Sequence, residues 1–277
     1  MHYKDNKSKT MGHQSAHLVA TLYEQNKPIF RLKDVRNILH LDEVASSNFA
    51  KKLIGRGIVT RLKPGLFILV PLEMGKESEY TGNPLIVAHE IMNRADYYLS
   101  HITAMEIHGM VTQPQFVVYV TALKSHRPVK TLGMEFRFIH SHEKYFFGLF
   151  DHWVTKQEKV KVSDLERTII DCLKRPEYCG GLTEIAKGLW IRRQDIDIKR
   201  IINYAVRLNV GAVIRRLGFL LELYKIGDPE YRELLTPHLA ESYVRLDPLL
   251  PSEGKYLRKW RLRLNVSPEE LLSIVRT

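Results

Sequence analysis

Two helical patterns and a hairpin pattern follow one another between residues 30 and 70. The first helix is predicted by apolar residues at helical spacing: Leu32, Val35, Ile38 and Leu39. The second begins after Asp42, which can cap it, and its apolar positions are Ala45, Phe49 and Leu53. Residues 58–62 and 66–70 then predict two strands around the tight turn Lys63-Pro64-Gly65. An amphipathic helix is predicted before them, over residues 13–25.

Two helices joined by a short turn and followed by a hairpin are typical of a winged helix-turn-helix. On a helical wheel, the second helix turns Ser47, Asn48 and Lys51 outward, with Ser46 and Lys52 on the flanks. Between Val44 and Leu72 no residue is acidic and five are basic: Lys51, Lys52, Arg56, Arg61 and Lys63. We therefore expect this surface to bind DNA phosphates and base edges. A solvated helical hairpin with an ordinary charged face is the alternative.

The order of elements predicts two domains. After Pro71 the sequence becomes acidic and rich in turn residues, which indicates a linker at residues 76–82. Residues 1–75 would form the winged helix-turn-helix domain, with residues 1–10 mobile, and residues 83–277 a larger mixed α/β domain. Helices are expected from Pro84 to about Asn93 and from Ser100 to Gly109. Residues 115–122, 134–140 and 152–162 predict a sheet of about four or five strands, so the fold class is α+β.

Further helices are predicted in the second half of the chain. Ser163 and Glu166 form a capping-box pattern at the start of one helix, so we interpret Asp164 and Glu166 as helix-start residues and not as an acid/base pair. Residues 182–226 carry three helical patterns. A half-buried strand is predicted around Leu262 and Leu264, and a terminal helix after Ser267.

Composition favours an acidic partner. The 277 residues carry a formal charge of +11, and residues 1–75 hold twelve basic and six acidic side chains, which is about half of the excess. The two cysteines, Cys172 and Cys179, lack the spacing of a zinc or redox motif. No apolar run approaches the length of a membrane span, and no secretion signal is evident. We expect a cytoplasmic protein without cofactor or membrane contact.

A second basic surface is predicted on the polar faces of the helices between residues 182 and 226. Its residues are Lys187, Arg192, Arg193, Lys199, Arg200, Arg207, Arg215 and Arg216. Such a surface could contact DNA, an acidic protein or tRNA. Alternatively, it only keeps the domain soluble.

Catalytic and metal motifs are weak. His140 and His142 share one side of a predicted strand near His152, but no carboxylate or thiolate accompanies them at a familiar spacing, so we expect no metal site. Gly180-Gly181 precedes a helix and could hold an anion, but we favour a loop between two helices. Asp195 and Asp197 follow a segment that reads as a helix, so their D-x-D spacing is interpreted as coincidence. A DNA-cleaving enzyme would have only Asp151, Glu158 and Lys161 as candidates, and we expect a non-enzyme.

Three groups of motifs together resemble the AbiEi-type antitoxin family of type IV toxin-antitoxin systems. The first is L-I-G-R-G-I-V-T-R-L-K-P-G-L-F-I-L, at residues 53–69. The second comprises N-P-L-I-V-A-H-E-I and Y-Y-L-S-H-I-T-A-M-E-I-H-G-M. The third is V-S-D-L-E-R-T-I-I-D-C-L-K-R-P with Cys179-Gly180-Gly181. The similarity spans roughly residues 13 to 215.

The resemblance implies an antitoxin that represses its own operon by binding promoter inverted repeats through the winged domain. It also implies that the C-terminal domain neutralises a nucleotidyltransferase-like toxin, without the need for a stable complex. The operator-binding role falls on Ser46, Ser47, Asn48, Lys51, Lys52, Arg61 and Lys63. The alternative is a stand-alone winged-helix transcription factor whose C-terminal domain senses a ligand or partner.

Overall fold

The computed structural model describes residues 9–75, 77–80, 82–93, 95–131 and 133–275. The predicted mobile tail at residues 1–10 therefore lies mostly outside the described residues. The fold is α+β, as predicted, and it divides into two compact units. The first comprises Met1–Arg94 with Pro128–Phe136, and the second comprises Ala95–Arg127 with Arg137–Thr277. Among the described residues, no helix has the length and apolarity needed to cross a bilayer.

The first unit combines helices with a small antiparallel sheet. Its elements up to residue 94 are α1 (His13–Glu24), β1 (Ile29–Arg31), α2 (Leu32–Leu39), α3 (Glu43–Gly55), β2 (Val59–Lys63), β3 (Leu66–Leu69) and α4 (Pro84–Met92). The sheet order is β1-β3-β2, so the predicted hairpin is confirmed and gains a third strand that the sequence did not predict. Phe30 and Phe67 pack against each other across β1 and β3, with ring centroids 5.7 Å apart.

The boundary between the units differs from the predicted linker at residues 76–82. The first unit continues through α4. Two cations hold the C-terminal end of this helix: the Arg31 guanidinium donates to the Glu90 carbonyl, and Lys63 Nζ donates to the Ile91 carbonyl at 3.0 Å. Because backbone carbonyls at a helix end have no intrahelical donor, these bonds stabilise α4 within the first unit.

The second unit contains a mixed sheet, a helical layer and a separate small sheet. Its helices up to residue 223 are α5 (His101–Ile107), α6 (Leu165–Lys174), α7 (Leu182–Ile191), α8 (Ile198–Leu208) and α9 (Gly211–Leu223). Two short helices follow, α10 (Pro229–Glu233) and α11 (Pro268–Ser273). The predicted helices of residues 182–226 and the terminal helix after Ser267 are thereby confirmed.

Among the described residues, six strands lie between residues 97 and 163, which is more than predicted. The second unit holds β4 (Tyr97–Leu99), β5 (Val117–Ala122), β8 (Leu149–Trp153), β9 (Lys159–Ser163) and, from Arg137 onward, β7 (Met134–His140). The short strand β6 (Val129–Thr131) and the first three residues of β7 belong to the first unit. Strand β4 pairs antiparallel with β5 and parallel with β9, and β6 forms a hairpin with the first residues of β7. The predicted strand at residues 152–162 is two antiparallel strands, because a turn separates β8 from β9. The small sheet has the order β10 (Val244–Arg245), β12 (Leu262–Leu264), β11 (Lys255–Leu257).

The start of α6 differs from the predicted capping box. Asp164 is the N-cap, and its carboxylate accepts from the Arg167 backbone N–H at 2.8 Å. Ser163 ends β9, where its hydroxyl contacts the Thr168 hydroxyl at 2.7 Å. Glu166 reaches away from the cap and accepts from the Asp197 backbone N–H at 2.8 Å.

Candidate nucleic-acid interface

Helix α3 begins at a well-formed cap. The Asp42 carboxylate accepts from the Ala45 backbone N–H at 2.7 Å, which satisfies one of the donors that a helix start leaves free. His40, in the left-handed conformation with φ of 53°, closes α2 and turns the chain into α3. The turn between the two helices is therefore short and fixed at both of its ends.

The buried face of α3 is turned by about one position from the predicted one. Ser46, Ala50 and Leu53 are buried, whereas Ala45 and Phe49 are only half-buried. Ser46 tolerates this position because its hydroxyl donates to the Asp42 carbonyl at 2.7 Å. The prediction that Ser46 contacts DNA is therefore wrong, since its side chain is fully buried and already bonded.

The opposite face of α3 presents polar and cationic side chains to solvent. Asn48, Lys51 and Lys52 are exposed, Ser47 is half-buried, and the exposed Arg56 follows at the C-cap. Within the described residues, no carboxylate lies within ion-pair distance of these three cations. Their charge is therefore available to a polyanion.

Sequence reasoning missed one member of the exposed α3 face. Val44 is 71% exposed, and one helical turn later on the same side stands Asn48. An exposed valine beside polar groups is the type of contact that meets a thymine methyl in a major groove. The sequence signal was present, because Val44 lies four residues before Asn48, but the sequence analysis assigned Val44 to neither face of the helix.

The two basic residues of the hairpin, Arg61 and Lys63, differ in exposure. Arg61 on β2 is exposed, since the alternation of the strand buries its neighbours Thr60 and Leu62. Lys63 is half-buried, and burial followed by the charge of Arg31 lowers its pKa. Its ammonium is bonded to the Ile91 carbonyl, so the prediction that Lys63 binds phosphate is not favoured by its position.

The predicted second basic surface does not form a continuous surface. Arg215 and Arg216 are buried, with exposures of 3% and 5%, so placing them on a surface was wrong. The Arg216 guanidinium donates to three backbone carbonyls, those of Leu173, Arg245 and Leu246. Arg215 donates to the carbonyls of Ala240 and Ser242. Burial lowers the pKa of Arg216 to about 10.

The remaining six basic residues of that set are mostly engaged. Arg192 pairs with Asp195, and Arg200 pairs with Glu166 and Asp197. Three others lie over aromatic rings: Arg193 over Trp190, Lys199 over Tyr231 and Arg207 over Phe147. Lys187 lies elsewhere, in the wall of a cleft.

This cleft, of about 410 Å³, lies between α5, β5 and the start of α7. Tyr119 and Tyr178 pack against each other in its wall, with ring centroids 5.1 Å apart and planes tilted by 34°. Glu184 and Lys187 supply charge. His101 packs edge-on against Tyr178, and burial lowers its pKa to about 4, so it is neutral at physiological pH. Sequence analysis assigned Lys187 to the second basic surface and named none of the other residues as a site, because they come from segments far apart in the chain.

The weaker catalytic and metal candidates are engaged in other contacts. Asp151 pairs with Lys159 at 2.6 Å and with Lys161 at 3.3 Å on the β8–β9 hairpin. The ring centroids of His140 and His142 are 5.3 Å apart, and within the described residues they join no group of three metal-ligand side chains. At Gly180-Gly181, the Leu182 backbone N–H at the start of α7 donates to Asp247 at 2.8 Å, so the chain's own carboxylate takes the place considered for an anion.

Comparison with known proteins shows that the fold of this chain is similar to that of a solved structure. No protein-family model matches the chain, and no curated protein matches it. The crystal structure of the RV2827C protein from Mycobacterium tuberculosis is similar, with a TM-score of 0.72 at 14% sequence identity. The match covers 97% of this chain and 96% of that chain. At this identity, the similarity concerns the fold alone.

Proposed function

We propose that the chain is a DNA-binding antitoxin of type IV, with a winged helix-turn-helix formed by α1–α3 and the β1–β3 sheet. The observation that carries the DNA-binding half is the exposed face of α3, where Asn48, Lys51 and Lys52 stand without ion pairs among the described residues. In this role α3 lies in the major groove of the promoter's inverted repeats, and Arg61 on the hairpin contacts a phosphate. The chain then represses its own operon.

The antitoxin half of the proposal rests on the resemblance of three groups of sequence motifs to the AbiEi-type family. The C-terminal domain neutralises a nucleotidyltransferase-like toxin made from a neighbouring gene, without any need for a stable complex. The protein acts in the cytoplasm and is not an enzyme. In the second unit, the shared motif V-S-D-L-E-R-T-I-I-D-C-L forms the end of β9 and α6, whose residues 166–173 are buried. That motif therefore supports the domain's fold, and the toxin-facing residues lie elsewhere.

A salt titration on the chain's own promoter tests the DNA-binding half. The double variant Lys51→Ala with Arg61→Ala removes two exposed cations, so we expect weaker binding and a log-log salt slope that is lower by about two. Glu43→Gln is the matched control variant, and it should change the promoter affinity in the opposite direction. It removes an 85% exposed carboxylate from the start of the same helix, so its affinity should rise. Wild-type affinity of the double variant at every salt concentration would mean that another surface binds the DNA.

Co-expression tests the antitoxin half separately. The double variant keeps the second unit intact, so it should still rescue growth when the product of the neighbouring gene is expressed. Loss of rescue together with loss of promoter binding would contradict the assignment of the two roles to different parts of the chain.

The cleft beside Tyr119 and Tyr178 favours a second candidate, a stand-alone winged-helix transcription factor with a ligand-sensing C-terminal domain. A cleft of about 410 Å³ lined by two packed tyrosine rings has the size of a small-molecule site. Gene context separates the two candidates, because the antitoxin needs an adjacent nucleotidyltransferase-like gene whose product is toxic alone. Absence of such a gene favours the ligand-sensing regulator.

A further inference from the structure

The small sheet near the C-terminal end carries basic and aromatic side chains on one face. Strands β10 and β11 flank β12, and the register places Arg245, Arg263 and Tyr256 side by side across the three strands. The neighbouring β12 residue Leu262 is fully buried, so the alternation of the strand turns Arg263 to the other side. We name this outward set the tyrosine–arginine face: Tyr243, Arg245, Tyr256, Arg261 and Arg263.

Four of the five side chains of this face form one contiguous cluster, whereas the Arg245 guanidinium donates to the Leu250 carbonyl at 2.9 Å. The Tyr243 and Tyr256 rings meet edge to face, with centroids 5.0 Å apart. The Arg261 guanidinium lies 5.8 Å from the Tyr243 ring, and that of Arg263 lies 5.2 Å from the Tyr256 ring. Tyr256 is nevertheless 62% exposed. An exposed ring beside a guanidinium plane offers two flat surfaces for stacking.

The charged residues around this face, in the segment 255–263, are all basic. Residues 255–263 contain no acidic residue and five basic ones: Lys255, Arg258, Lys259, Arg261 and Arg263. Lys259 pairs with Glu222 at 2.6 Å, but within the described residues no carboxylate lies within ion-pair distance of the other four. Arg263 Nε is buried and has no hydrogen-bond partner in the part of the chain that the structure describes. The unpaired cations of this region therefore attract an anion, whereas the enclosed Arg263 Nε is not among the atoms that an anion can reach.

We propose that the tyrosine–arginine face binds single-stranded nucleic acid. A base stacks on Tyr256, and phosphates on either side of it meet Arg261 and Arg263. Single strands suit this face because their unpaired bases are free to stack on aromatic rings, whereas the bases of a duplex are already stacked on one another. An acidic peptide would pair with the arginines but would leave the exposed tyrosine without a role. This site is separate from duplex binding by α3.

Fluorescence anisotropy on the full chain tests the face. The parent carries Lys51→Ala and Lys52→Ala, so that α3 contributes little, and the probe is a labelled oligouridine or oligothymidine of about 12 nucleotides. We expect Tyr256→Ala to lower the affinity about tenfold, since one base loses its stacking partner. Tyr256→Phe, which keeps the ring, should bind like the parent. The ratio of oligouridine to oligothymidine affinity tells which nucleic acid is preferred.

A matched control comes from another exposed aromatic residue in the second unit. Trp153 on β8 is 60% exposed and lies under Lys159 at 5.7 Å, but it is outside the tyrosine–arginine face. Trp153→Ala should keep the parent affinity. The inference is overturned by any of three results: unchanged binding by Tyr256→Ala, equal affinity for a duplex of the same length, or competition by polyglutamate as strong as by the oligonucleotide. Because the parent already lacks two α3 cations, these results are independent of the promoter test.

Discussion

The two units treat their charged side chains differently. In the first unit, the cations of α3 are exposed and lack ion pairs among the described residues. In the second unit, α9 buries Arg215 and Arg216, and α6 buries Arg167 against Asp171 at 2.9 Å. The sequence analysis placed both α3 and α9 on basic surfaces. The difference teaches that a basic residue marks a binding surface only where the fold leaves it without an internal partner.

The largest expected effect concerns Arg216. Arg216→Ala leaves the carbonyls of Leu173, Arg245 and Leu246 without this donor in the interior, so the free energy of unfolding should fall by about 4 kcal/mol. Urea denaturation of the full chain measures it. Arg207→Ala on α8 is the matched control, because that side chain is exposed and lies over the Phe147 ring, and its loss should be about 1 kcal/mol or less. Equal midpoints for the two variants would contradict a structural role for Arg216.

The helix that contains Arg216 illustrates what the sequence could have indicated. Residues 213–221 are buried without interruption, including both arginines. The sequence G-A-V-I-R-R-L-G-F-L-L is apolar around almost the whole helix, which is typical of a central helix and not of a surface one. The prediction used the charge of Arg215 and Arg216 and neglected their neighbours. The carbonyls that they bond belong to segments far away in the sequence, and no local pattern could have identified them.

The strands show a second limit on what the sequence can predict. The hairpin of β2 and β3 was predicted because its two strands flank a Pro-Gly turn. Strands β1 and β4 were missed, since three residues are too few to display an alternating pattern. Yet β4 lies inside the mixed sheet between β5 and β9. Short interior strands are determined by their partners, which only the folded chain brings together.

The second unit also buries a histidine. His101 in the second unit is buried, and burial lowers its pKa from 6.5 to about 4. Between these two pH values the unfolded chain binds a proton at His101 that the folded chain does not. The contribution of neutral His101 to the free energy of unfolding is therefore fully present above pH 6.5 and is lost as the pH decreases to about 4. The loss at the acid end should be about 3 kcal/mol. Free energies of unfolding across this pH range measure it.

The variant His101→Asn isolates this contribution, because asparagine tolerates the positive φ of 54° at this position. We expect the variant's stability to depend less on pH than that of the wild type. His17→Asn on α1 is the control from the first unit, where the side chain is exposed, and it should leave the wild-type pH dependence intact. Parallel curves for wild type and His101→Asn would show that the proton is taken up elsewhere.

The smallest expected effect distinguishes two cations within one hairpin. Arg61 is exposed, whereas Lys63, two residues later, is bonded to the Ile91 carbonyl. Arg61→Ala should therefore lower the log-log salt slope of promoter binding by about one with stability unchanged. Lys63→Ala should leave the slope unchanged and lower the free energy of unfolding by about 1 kcal/mol, since a helix-end carbonyl loses its donor. A reduced salt slope for Lys63→Ala would mean that the lysine leaves the Ile91 carbonyl to contact a phosphate. Cations with an internal partner would then also bind DNA.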